Sequence, residues 1–172
     1  MAKLNLKVGD LFEAQSAPSD KEGAITTIGH GVNADGKMGA GIAVLFRRKF
    51  PQMYAQYKQL CESYGDWLGG RTYLYFDGEG WDGHIANIFS QLRPGANAKV
   101  ELLVDGVKDA LFQTYASIER SPHLAIPLIG CGIGGLDWAT EVRPALEDLL
   151  ADLPENWQIT VYSLEPMEDF EG

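Results

Sequence analysis

Apolar and polar residues alternate from Leu4 to Val8, which predicts a short strand closed by Gly9-Asp10. The stretch 14–23, AQSAPSDKEG, is polar and carries turn chemistry. Ala24 to Ile28 is apolar and β-branched, the pattern of a buried strand. A glycine-rich stretch follows from Gly29 to Gly41, in GHGVNADGKMGAGIA, and demands a special backbone. From Ile42 to Tyr64 the apolar positions Ile42, Leu45, Phe46, Tyr54, Tyr57, Leu60 and Cys61 return at helical spacing. Phe50-Pro51 interrupts that run and predicts a break or kink.

Beyond the Gly69-Gly70 turn, Thr72 to Phe76 and His84 to Phe89 read as two strands joined by the glycine-rich DGEGWDG. Leu92 to Ala98 reads as a loop, and Val100 to Ser117 as an amphipathic helix with Leu103, Val107, Ala110, Leu111 and Tyr115 on one side. Leu124 to Ile129 predicts a short apolar strand running into a second glycine-rich loop, GCGIGG. Asp137 opens another helix that ends near Leu153-Pro154, with acidic residues early where the helix is electropositive. Gln158 to Leu164 is the last predicted strand, and the acidic tail EPMEDFEG is expected to fray. Strands alternating with helices predict an α/β fold, with a largely parallel sheet and helices on both faces. Ligands of such sheets bind beyond the C-terminal strand ends. The loops 29–41 and 130–136 hold that position.

Composition narrows the function. The chain has 172 residues and 18.9 kDa, of which 45% are hydrophobic, enough for one domain with its own core. A net charge of −10 and a pI near 4.6 oppose general binding to nucleic acid or an anionic membrane. Cys61 and Cys131 lie far apart outside any CxxC, and His30, His84 and His123 are scattered, so reduced cysteines and no metal site are expected. No apolar signal segment opens the chain and no run approaches a membrane span, so the reading is a soluble, cytoplasmic monomer without a cofactor. A local nucleotide site is still open to such a protein, because loop N–H groups and helix starts hold phosphate without basic side chains.

Neither glycine loop carries the GxxxxGK[ST] phosphate signature, and each alone reads equally as a tight turn between strand and helix. Together they point elsewhere. HGVNADGKMGAGIAVLFRRKFP and IPLIGCGIGGLDW, with GDLF at the front and TVYSL at the end, resemble the macro domain. The resemblance is to the subgroup of the terminal ADP-ribose protein glycohydrolase and the bacterial DNA ADP-ribosyl glycohydrolase antitoxins. CESYGDWLGGR is also similar to the yeast-type ADP-ribose-1''-phosphate phosphatase. It runs from about Lys7 to Leu164. It implies a three-layer α/β/α sandwich around a mixed, largely parallel sheet of about six strands, with residues 1–166 as one macro domain and 167–172 as an acidic tail.

The same resemblance implies a ligand, ADP-ribose or a derivative, and assigns roles. Asp10 would accept from the adenine amino group with Leu11 beside it, and Tyr162 and Leu164 would border the adenine. Asn33 would meet the distal ribose. Met38, Gly39, Ala40, Gly41 and Ile42 would offer N–H groups to the diphosphate and distal ribose, as would Gly130, Gly132, Ile133, Gly134, Gly135 and Leu136. Plainer alternatives stand beside these: a turn residue for Asp10 and Asn33, a core residue for Tyr162, a packed thiol for Cys131.

For the chemistry, the resemblance places Gln91 where the glycohydrolases carry a lysine and Gly134 where the human-type enzyme carries an acid. Arg93 or Lys99 would have to supply the missing charge. The expectation is therefore hydrolysis of ADP-ribose-1''-phosphate, with Asp35, His30 and Asn33 as catalytic candidates. Removal of ADP-ribose from nucleic acid or protein, and non-catalytic reading of ADP-ribose, are the alternatives.

Overall fold

Four strands with no exposed residue form the middle of the molecule, because a strand covered by helices on both faces keeps no polar side. The computed structural model describes residues 2–16, 21–76 and 83–172. Its single sheet is built from β1 (Lys3–Val8), β2 (Thr27–Val32), β3 (Thr72–Phe76), β4 (His84–Phe89), β5 (His123–Ile126) and β6 (Gln158–Ser163). The order across the sheet is β1-β6-β5-β2-β4-β3. Every pairing is parallel except that of β3 with β4. The joint predicted between β3 and β4, DGEGWDG, lies almost wholly outside the described residues, as does much of the 14–23 loop.

Two cores lie on opposite faces of the sheet. Ala86 and Ile88 of β4 face one of them, with Leu103, Val107 and Leu111 of α3 (Val100–Ile118) and Leu146 and Leu150 of α4 (Arg143–Ala151). Ile85 and Phe89, at the alternate positions, face the other. There they meet Phe46 of α1 (Ile42–Lys49) and Met53 and Tyr57 of α2 (Pro51–Tyr64). The helix predicted over 42–64 is broken at Phe50, as its proline requires. Pro51 opens α2 in the first turn, where a missing N–H costs nothing.

Three boundaries differ from the sequence pattern. The strand expected over Ala24 to Ile28 is displaced, and β2 runs from Thr27 to Val32. Gly29 and Gly31 therefore belong to the sheet. A Cβ at Gly29 would stand 3.2 Å from Ala86 Cβ and 3.3 Å from Ile88 Cδ1, so glycine here marks close packing rather than a loop. The strand expected to reach Ile129 stops at Ile126, because Pro127 has no N–H and its carbonyl turns back to accept from Ile129 N at 2.7 Å. The tail is not frayed. Glu171 pairs with the edge strand β1, through Val8 N to Glu171 O at 2.7 Å and Glu171 N to Leu6 O at 3.1 Å. Phe170 packs its ring 5.8 Å from Trp138, and Arg143 meets Asp169 at 3.1 Å. An apolar anchor and an unpaired sheet edge outweigh the tail's acidity. Among the described residues no helix is long and apolar enough to cross a membrane.

Candidate functional site

The C-terminal ends of β2, β4 and β5 open into a cavity of about 440 Å³. Each strand supplies one wall: the turn after β2 with Asn33, the step after β4 with Ser90 and Gln91, and the Pro127–Gly130 stretch after β5. The two glycine loops close over it. Gly41 caps α1 at φ 61°, and Gly130 turns the second loop at φ 74°, both in the left-handed region that glycine enters without strain. The loops come together where Ile133 Cδ1 stands 3.6 Å from the Cβ position of Gly41.

Unpaired N–H groups gather here. Gly39, Ala40 and Gly41 on one loop and Gly132, Ile133 and Gly134 on the other donate to no backbone carbonyl among the described residues. All six residues line the cavity. The second loop is rigid because its flanks are tied. Cys131 N donates to Leu128 O at 3.1 Å, Leu136 N to Gly130 O at 2.9 Å, and Ala98 N to Gly134 O at 3.1 Å. Free N–H groups on a tied loop, beside the first turn of a helix, are the backbone chemistry that holds an anion.

Asn33 holds the first loop in shape. Its Nδ2 donates to Lys37 O at 2.8 Å, and its Oδ1 accepts from Asp35 N at 3.0 Å and Lys37 N at 3.3 Å. Tyr57 reaches up from α2 and donates its hydroxyl to Asn33 O at 2.6 Å. Burial holds that phenol protonated, well above its ordinary pKa. Gln91 acts in the same way on the loop after β4, donating from Nε2 to Arg93 O at 2.7 Å and Gly95 O at 3.0 Å. Arg93 is committed to Asp66 by bonds of 2.7 and 3.2 Å, and neither Arg93 nor Lys99 lines the cavity.

Other candidates stand apart. Met38 is buried in the core beneath the first loop, and Gly135 and Leu136 lie behind the second. Asp10, Leu11, Tyr162 and Leu164 occupy the same C-terminal edge of the sheet at β1 and β6, outside the cavity. Asp10 accepts from Phe12 N at 2.9 Å, Leu11 and Tyr162 are buried, and Leu164 is exposed. Asp35 is exposed, with its carboxylate 3.9 Å from Lys37 Nζ. The Cys131 thiol points at Ile129 O at 3.4 Å, and burial pushes its pKa up to about 12, which keeps it a protonated packing group.

His30 is the clear departure from the sequence expectation. It lies within β2, not in a loop, and is wholly buried on the α1 face of the sheet. Its ring stacks on Phe46 at 3.8 Å, and its Nε2–H donates to Asn87 Oδ1 at 2.8 Å. That tautomer follows because Asn87 Nδ2 already donates to Tyr73 O. No solvent or substrate proton reaches a ring so placed, so His30 is not a catalytic acid or base. Burial, partly offset by the Asn87 bond, lowers its pKa from 6.5 to about 4. The unfolded chain therefore binds a proton below about pH 6.5 that folded His30 refuses. Its share of stability is complete above that pH and falls as the pH drops toward 4. Guanidine unfolding is expected to show a loss of about 2–3 kcal/mol from this group between about pH 7.5 and about pH 4.5. His30→Gln should remove that part of the slope, and an unchanged slope rejects the assignment.

Sequence reasoning missed Lys37 and Ser90, both of which line the cavity. The signals were their places, one just before MGAG and the other just after the fully buried HIANIF.

The macro domain family model matches residues 30–145. The chain is 32% identical over 149 residues to a DNA ADP-ribosyl glycohydrolase of Thermus aquaticus, covering 86% of this chain and 39% of that protein. It thus spans about two fifths of the length of those curated relatives. It is 30% identical over 156 residues to an ADP-ribose 1''-phosphate phosphatase of Lodderomyces elongisporus, covering 86% of this chain and 92% of that one. Among solved structures, the macrodomain of Thermus aquaticus DarG superposes with a TM-score of 0.75 at 29% identity, over 96% of this chain and all of the other. The macrodomain of Mycobacterium tuberculosis DarG gives 0.76 at 26% identity, over 97% of this chain and all of the other.

Proposed function

The chain belongs to the macro domain family, and from that premise we propose that its cavity binds ADP-ribose or a close derivative and that the protein hydrolyses a bond at the ligand's distal end. The observation that carries this reading is the pair of glycine loops, six of whose residues line one cavity and donate to no backbone carbonyl among the described residues. A diphosphate is the ligand chemistry that such a cradle fits, since donors without basic side chains serve an anion best from fixed backbone.

The substrate we assign is ADP-ribose-1''-phosphate. Lys37 is the one charged side chain in the lining among the described residues, and a cation there suits a further phosphate. The phosphatase relative also matches along nearly its whole length, unlike the glycohydrolases. Asp35 does not line the cavity; exposed on the turn beside it and 3.9 Å from Lys37 Nζ, it is the carboxylate we assign to activate water. The reading takes residues 1–166 as one domain with 167–172 as its tail. It takes the protein as a cytoplasmic monomer, and the unpaired state of Cys61 and Cys131 supports the reducing compartment.

Calorimetric titration is expected to give micromolar binding of ADP-ribose and little of AMP. Phosphate release from ADP-ribose-1''-phosphate is expected, and Asp35→Asn should slow it about 100-fold with binding kept. No binding of ADP-ribose rejects the reading, and an unaffected Asp35→Asn rejects that residue's role. The similarity to DNA ADP-ribosyl glycohydrolases favours a second reading, removal of ADP-ribose from nucleic acid. Release of ADP-ribose from modified DNA, without phosphate release, would select it.

A further inference from the structure

Ser90 stands where β4 passes into the loop 91–97, at the cavity wall, and is 1% exposed. Its backbone is fully used: the N–H donates to Ile88 O at 2.8 Å and the carbonyl accepts from Lys99 N at 3.0 Å. Its side chain is not used. Ser90 Oγ is buried and has no hydrogen-bond partner among the described residues. A buried hydroxyl left unpaired is unfavourable, and few persist in folded proteins without a reason.

Gly31 lies against it. A Cβ built on Gly31 would stand 2.6 Å from Ser90 Oγ and 3.1 Å from Ile129 Cγ1. Gly31 and Ile129 line the cavity as well. Ser90 Oγ therefore packs directly over the Gly31 backbone, where any side chain larger than hydrogen would collide with it. The neighbouring polar side chains are already engaged. Gln91 Nε2 is spent on Arg93 O and Gly95 O, and Asn33 on its own loop.

We propose that Ser90 is a specificity-determining residue, whose hydroxyl hydrogen-bonds a hydroxyl of the ligand's distal sugar at the cavity wall. The inference rests on the reading of the cavity as an ADP-ribose site. A serine hydroxyl both donates and accepts, which matches a sugar hydroxyl that also does both. The diphosphate, which only accepts, is served by the loop N–H groups. Binding would satisfy a hydroxyl that has no partner among the described residues, so discrimination for the sugar breaks no internal bond of the side chain.

The test is Ser90→Ala, titrated with ADP-ribose and with ADP, which has the diphosphate but no distal sugar. ADP-ribose affinity is expected to fall about tenfold and ADP affinity to stay at the wild-type value. The melting temperature should hold or rise, because the variant removes an unpaired hydroxyl, whereas a merely structural serine would lower it. Unchanged ADP-ribose affinity, or an equal loss for both nucleotides, overturns the proposal while leaving the ADP-ribose reading intact. A wild-type protein that binds neither nucleotide overturns that reading and the proposal with it.

Discussion

Gly134→Ala is expected to weaken ADP-ribose binding about 100-fold and to cost about 1–3 kcal/mol of stability. A Cβ on Gly134 would stand 2.7 Å from Gly130 O and 2.9 Å from Ala98 Cβ. The first of these is backbone, inside a loop already closed by Leu136 N on Gly130 O, so the methyl cannot be met by a rotamer change. The loop must open, and the N–H groups of Gly132, Ile133 and Gly134 then lose their common aim. The loss of one charge-assisted bond, worth about 1.5–3 kcal/mol, sets the expected loss. Gly132→Ala is the control, because nothing lies within 4 Å of its added Cβ. It should unfold at the wild-type temperature, and equal losses of stability in the two variants would reject the fixed cradle. The same clash meets Gly134→Asp. The absence of an acid at this position, a departure from the human-type glycohydrolase pattern, is therefore built into the packing of the loop.

Asn33→Ala is the second large effect. It removes the acceptor of Asp35 N and Lys37 N and the donor to Lys37 O in one step. The expected cost is about 2–3 kcal/mol of stability, and ADP-ribose affinity should fall about 100-fold as the 33–41 loop loosens. Tyr57 keeps its bond to the Asn33 carbonyl, so the variant should still fold. Thermal unfolding and titration on the same sample separate two roles. A side chain that only touched ligand would lower affinity and leave the melting temperature unchanged. Asn33→Asp retains the acceptor but turns a second oxygen toward Lys37 O, and should fall between wild type and alanine in stability.

Both predictions concern residues that the sequence flagged for a different reason. Gly134 stood out as part of a phosphate loop, and its requirement for close approach to Gly130 and Ala98 was invisible in GCGIGG. Asn33 was expected to meet the distal ribose, and four of the six bonds made by its side chain and carbonyl tie its side chain to its own loop or to Tyr57. Turn-forming residues make such local bonds, and sequence spacing does not tell whether an amide faces ligand or backbone.

What the sequence determined by itself was local. The limits of β3 and β4 follow from two short apolar runs, and the break between α1 and α2 follows from one proline that cannot continue a helix. The two glycine loops announced the cavity, because a strand, a glycine run and a helix start are contiguous in the chain. Tertiary structure alone decided the rest. Gly29, His30 and Gly31 became strand because they pair with Ala86, Asn87 and Ile88 of β4, far away in sequence. That register buries His30 on one face, brings Gly31 under Ser90, and leaves the hydroxyl unpaired. The tail joined the sheet because β1 is an edge and Trp138 offered Phe170 a surface. Partners that meet only when distant segments pair leave no periodic trace in the chain, because the pattern of apolar positions records which face is buried but not what covers it.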